Sequence, residues 1–81
     1  MREKIRDINE IYIKEFGRNL CAERNRQNLS QDDLGKLAYI DGRYISRIER
    51  GEINPTLTTI IAIIEALNIT FDELYKSKKE K

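Results

Sequence analysis

The sequence predicts an all-α fold, a compact bundle of five helices in which two short helices meet at a tight corner. Three observations carry this prediction. Apolar residues recur at three- and four-residue spacing in successive segments, as amphipathic helices require. Side chains suited to helix N-caps stand where those segments begin: Ser30, Asp41, Thr56 or Thr58, and Thr70. Gly51 and Asn68, suited to stop helices, stand just beyond two of their ends, and Asn54-Pro55 marks an extended or turn segment between the third and fourth. Eighty-one residues at 40% hydrophobic content make one domain, residues 1–81, with a modest core spanning about 8–75.

The first helix runs from about Ile8 to Gln27 on the apolar positions Ile8, Ile11 or Tyr12, Phe16 and Leu20. Met1 to Asp7 alternate in charge and either fray or extend it. Gly17 interrupts the pattern and reads as a close-packing point, while Arg18, Arg24 and Arg26 are by default solvated. Cys21, the single cysteine, reads as a small buried or half-buried hydrophobe; it can form no internal disulfide, and without histidine the usual metal-binding spacings are missing. Asn28 fits a chain reversal, with Leu29 turned inward ahead of the Ser30 cap. The second helix spans Gln31 to about Ala38, with Asp32 and Asp33 in the first turn, where negative charge complements the helix dipole. Leu34, Leu37 and Ala38 form its expected inner stripe. Gly35 lets it approach the next helix closely, at about 1 kcal/mol relative to alanine.

Asp41 suits the N-cap of a third helix beginning at Gly42. Ile40, Ile45 and Ile48 fall on one side of it, and Arg43, Arg47 and Arg50 fall opposite. One face packs and the other is left to bind. The N–H groups at the helix start point toward an anionic partner. Only Tyr39 to Asp41 separate the second and third helices, which suits the sharp turn of a DNA-reading helix-turn-helix better than an antiparallel hairpin. Gly51 then closes the third helix, and Leu57, Ile60, Ile61, Ile64 and Leu67 mark the core stripe of the fourth. Ile63 and Ala62 widen that stripe nearly all round; a subunit interface and a core filled with β-branched residues both explain this. Thr70 and Glu73 have the spacing of a capping box, opening a short fifth helix through Phe71, Leu74 and Tyr75. Lys76 to Lys81 form a charged tail expected to be disordered.

The run LSQDDLGKLAYIDGRYISRIERGEINPTL resembles the Cro/CI-type (XRE-family) helix-turn-helix of small bacterial and phage regulators, a lambda-repressor-like fold. Its YISRIERG and NPTL segments look closest to the controller proteins of restriction-modification systems. The resemblance covers roughly Phe16 to Tyr75. It implies base readout by Gly42, Arg43, Tyr44 and Arg47, and phosphate-backbone contacts from Gln31, Ser46, Arg50 and Asn54, with Gln31 in some members also bracing the recognition helix. It also implies a structural ion pair between Arg24 and Glu49, and a second subunit meeting the surface of the fourth and fifth helices, including Ile63 and Phe71. There are two departures from the family pattern: Tyr39 holds the corner usually given to glycine, and Gly42 has no side chain to read a base, which shifts specificity toward Arg43.

Charge alone does not announce this function, because 15 basic residues are balanced by 14 acidic ones, for a net +1. Positive character is local to the third helix and the tail. No run of 18 apolar residues and no secretion signal is present, so a cytoplasmic protein is expected. With no histidine and no glycine-rich phosphate loop, no enzyme, cofactor or metal is expected. The expected partners are double-stranded DNA and a second copy of the chain, with RNA polymerase a further candidate. The functional expectation is a homodimeric regulator on a near-palindromic operator, plausible as an autoregulatory restriction-modification controller. A phage-type repressor and an antitoxin are alternatives within the resemblance; a protein-interaction module whose arginines meet an acidic protein is the alternative outside it.

Overall fold

The computed structural model describes the backbone of residues 2–75 and the side chains of residues 9–75. The expectation for Lys76 to Lys81 and the apolar role given to Ile8 lie outside these. The helices are α1 (Arg2–Arg26), α2 (Gln31–Ala38), α3 (Gly42–Glu49), α4 (Leu57–Leu67) and α5 (Phe71–Leu74). α1 starts at Arg2, so of the two expectations for the segment ahead of Ile8 the helix extends.

The caps form as their chemistry requires. Ser30 accepts from the N–H of Asp33 at 2.9 Å while Asp33 accepts from the N–H of Ser30 at 3.0 Å, a capping box that starts α2. Thr56 caps α4, and Thr70 with Glu73 forms the capping box of α5. Asn28, Asn68 and Gly51 take left-handed backbone angles after α1, α4 and α3, turning the chain where each helix stops. Tyr39 does the same at φ 60° and is 96% exposed as a residue, so the corner between α2 and α3 is built on a strained non-glycine residue.

Phe16, Leu20, Leu34, Ile45, Ile48, Ile63, Leu67 and Leu74 make the core, with contributions from every helix. α1 packs on α3 and α5, and α2 packs on α3 and α4. Two glycines permit these crossings. A Cβ on Gly17 would lie 2.6 Å from the carbonyl oxygen of Glu49 and against that of Ile48, and one on Gly35 would press on the carbonyl of Ile40.

Several expected orientations are corrected. Leu37 is 54% exposed, and Gly35 takes the inner position beside Leu34 and Ala38. In α4 the inward stripe is Ile60, Ile63, Ile64 and Leu67, while Leu57 and Ile61 are exposed. Ile63 is therefore core and cannot belong to a subunit surface, whereas Phe71 remains 49% exposed. In α1 both Ile11 and Tyr12 are exposed, and Ile13 is half-buried. Arg24, expected in solvent by default, is 8% exposed.

Candidate nucleic-acid interface

Asp41 fixes the start of α3 by accepting from the N–H of Arg43 at 2.8 Å. That cap places Arg43 on the first turn, its side chain 91% exposed, with Arg47 one turn on and Arg50 just past the helix end. Ile45 and Ile48 on the opposite face are fully buried, so α3 cannot rotate without opening the core.

Behind the outer face lies the carboxylate of Glu49. Glu49, with a side chain 5% exposed, accepts from Arg24 Nε at 2.6 Å and Nη2 at 3.0 Å, and from Gln31 Nε2 at 3.0 Å. Arg24 also donates to the carbonyl of Leu29 at 2.7 Å. The end of α3 is thereby tied to α1, to the start of α2 and to the turn between them. Glu49 beside it strengthens the hold of Arg24 on its proton, against the opposing effect of burial. A buried pair of this kind orients helices more than it stabilises them, because desolvation offsets much of the attraction.

The outer arginines are themselves engaged. Arg43 donates to Asp41 from Nη2 at 3.0 Å and from Nε at 3.4 Å. The Arg43 guanidinium first, and its N–H second, hold the Asp41 carboxyl below the usual carboxylate range. Arg50 donates to Glu52 at 2.8 and 3.2 Å and to Ser46 Oγ at 2.5 Å, and Arg47 stands 3.6 Å from the same Glu52. Arg50 and Ser46 thus meet each other as well as facing solvent.

Tyr44 is half-buried and packed against the core. At Gly42 a Cβ would meet the Asp32 carboxylate, which can swing aside, and would stand 3.3 Å from the Asp32 Cα, so α2 and α3 approach closely here. Asn54 is exposed in the loop before α4. It borders an open groove of about 230 Å³ whose other walls include Tyr12, Phe16, Pro55, Phe71 and Tyr75. The Tyr12 and Tyr75 rings meet edge to face at 6.1 Å, and Phe71 stacks on Tyr75 at 5.7 Å. Burial, then the nearby Glu15 and Tyr12, push the Tyr75 hydroxyl above its ordinary pKa. Two further contacts are not predicted by the sequence pattern: Glu52 accepts from two arginines, and Gln27 Nε2 donates to the carbonyl of Leu67 at 2.9 Å, which closes α4. The acid following Gly51 was the available signal for the first; nothing local signals the second.

Two capped helices joined at a left-handed corner, the second presenting arginines outward, match a known pattern. Residues 22–74 fit the family model described as Helix-turn-helix, HTH_3. The chain belongs to the XRE-type helix-turn-helix family. Among curated relatives, it is 39% identical over 68 residues to Control protein C.SmaI of Serratia marcescens, covering 84% of this chain and 76% of that one. It is 31% identical over 61 residues to the uncharacterized HTH-type transcriptional regulator y4dJ of Sinorhizobium fredii, covering 75% and 79%. Among solved structures, the restriction-modification controller protein C.AhdI of Aeromonas hydrophila superposes with TM-score 0.75 at 35% identity, covering 78% of this chain and 96% of that one. An HTH_3 family transcriptional regulator of Vibrio cholerae shares the fold, with TM-score 0.82 at 24% identity over 89% of this chain and 40% of that one. This XRE-family chain is a DNA-binding transcriptional regulator related to restriction-modification controller proteins. Among its described residues no helix is long and apolar enough to cross a membrane.

Proposed function

We propose that this regulator is a homodimeric restriction-modification controller that binds a near-palindromic operator and governs its own operon. The observation that carries the proposal is the outer face of α3, where Arg43 and Arg47 are exposed on a helix fixed at its far end through Glu49. A rigid helix with an arginine on its first turn is suited to the major groove, where the planar fork can take O6 and N7 of guanine together. In this reading Arg43 and Arg47 read bases, Tyr44 contributes the edge of a half-buried ring to the base step, and Gly42 allows close backbone approach. Gln31, Ser46, Arg50 and Asn54 lie at phosphates and set the register. Gln31 then has two tasks, since one amide hydrogen already braces Glu49.

A single α3 covers few base pairs. Two copies related by a dyad, with recognition helices about 34 Å apart, would add their half-site energies. Leu57, Ile61 and Phe71 are the exposed apolar residues on α4 and α5 that a second copy would cover. Selection of bound duplexes from a randomised library, followed by titration at two salt concentrations, tests the reading. Recovery of an inverted repeat with half-sites about one helical turn apart is the expected outcome. Weak binding at low salt with no enriched motif would overturn it and turn attention to an acidic protein partner for the arginines.

A further inference from the structure

Every exposed arginine on the outer side of α3 is met by a carboxylate of the same chain: Arg43 by Asp41, and both Arg47 and Arg50 by Glu52. These two acids stand at opposite ends of the recognition helix, one at its N-cap and one just past its C-terminus. Such an arrangement is costly for a surface that approaches polyphosphate, since each carboxylate opposes the DNA backbone and each pair must open before its arginine can neutralise a phosphate.

The pairs are not equivalent to a plain loss of charge. Arg43 uses Nη2 and Nε toward Asp41, and its Nη1 makes no hydrogen bond among the described residues. One edge of the fork is thus available to a base while the other stays on the carboxylate. A guanine offers two acceptors in the groove and rewards geometry; a phosphate rewards net charge, which an arginine–carboxylate pair lacks. Glu52 works on the flank. Arg50 has Nε and Nη2 on Glu52 and Nη1 on Ser46, so contact with a phosphate requires that it exchange one of these partners.

We infer that Asp41 and Glu52 are specificity-determining residues: by neutralising the recognition arginines they suppress binding to phosphates alone and leave base edges as the contacts worth making. The consequence is a wider ratio between operator and random DNA, the quantity that matters when a genome offers many competing sites. This inference rests on the DNA-reading role of α3 proposed above.

The test uses Asp41→Asn and Glu52→Gln in the full chain. Asparagine is as good an N-cap as aspartate, so α3 should still start at Gly42, and circular dichroism with a thermal melt checks that each variant folds. Dissociation constants are measured on the selected operator and on a scrambled duplex across a salt series. Each variant is expected to bind the scrambled duplex about two- to fivefold tighter at low salt, the scale of an exposed ion pair. The log-log salt slope should steepen by up to about 0.9 per carboxylate removed, and the operator-to-scrambled ratio should fall. Unchanged scrambled binding overturns the inference. So does an equal gain on both duplexes, which would make the acids a general brake, and so does weaker operator binding with scrambled binding unchanged, which would make them supports for the arginines. Failure of the unaltered chain to bind any duplex would overturn the DNA-reading role itself, and this inference with it.

Discussion

Glu49 gathers the side chains of Arg24 and Gln31, and with them three helices, so its removal should be felt in folding before it is felt in binding. Glu49→Ala leaves Arg24 buried without its counter-charge and is expected to cost about 3 kcal/mol in urea unfolding. Arg24→Ala should cost a similar amount, and the double variant far less than the sum, because both changes remove one interaction. Arg43 belongs to a different class, since its side chain is 91% exposed and its hydrogen bonds among the described residues go to Asp41. Arg43→Ala should leave the melting temperature unchanged and flatten base preference at one position per half-site by about tenfold, read by competition among single-base operator variants. An equal loss on every sequence would reassign Arg43 to the backbone. Tyr39 offers an independent check on the corner. A left-handed non-glycine residue costs about 1–2 kcal/mol, glycine restores about 0.5–1 kcal/mol of that to the unfolded chain, and a residue 96% exposed loses no packing. Tyr39→Gly should therefore stabilise the protein by up to about 1 kcal/mol.

At the scale of helices, close approach competes with propensity. Alanine is favoured over glycine inside a helix by about 1 kcal/mol, yet at Gly17 the new methyl would meet backbone carbonyls of Ile48 and Glu49, which move only if α1 and α3 separate. Gly17→Ala is expected to lower the melting temperature despite the propensity gain; a rise would mean that the two helices can part at little cost. The α2 cap carries a pH dependence. The N–H and then the hydroxyl of Ser30 hold the Asp33 carboxyl below its ordinary range, so the ionised form belongs to the folded state. The resulting stability is present above the unfolded pKa of about 4 and is lost as pH falls through the lower folded value. Asp33→Asn should thus make acid unfolding below about pH 4 shallower than in the parent. These caps were legible in the sequence because they are local: Ser30 and Asp33, Asp41, and Thr70 with Glu73 lie within a few residues of the groups they satisfy. The Arg24–Glu49 pair was reached only through the family resemblance. The buried side of α4 was misjudged because Leu57, Ile60, Ile61, Ile63 and Ile64 are all apolar, and periodicity cannot orient a helix that is apolar on nearly every side. The bond from Gln31 to Glu49 realises the bracing of the third helix that the same resemblance implied, whereas the Glu52 pairing depends on how the chain bends after α3, so the acid after Gly51 offers a candidate acceptor without fixing its partners.

In the dimeric reading proposed above, a second copy would cover Leu57 and Ile61, one helical turn apart on α4 and 70% and 45% exposed. Their neighbours Ile63 and Leu67 face the core, which separates two effects that a single apolar helix would otherwise confound. Ile63→Asp puts a charge into a site with no solvent and should abolish the cooperative melt. The double change Leu57→Glu with Ile61→Glu alters only exposed positions, so helical content and melting should persist while any dimer is opposed by charge. Sedimentation is then expected to shift from two copies to one. Operator affinity should fall on the order of a hundredfold as the two half-sites cease to be linked, with little change on a single half-site duplex. A variant that remains dimeric would move the contact to the groove between α1 and α5, where Phe71 is 49% exposed. A variant that is monomeric yet binds the full operator unchanged would show that one recognition helix suffices, and the dyad-related reading of the operator would have to be abandoned.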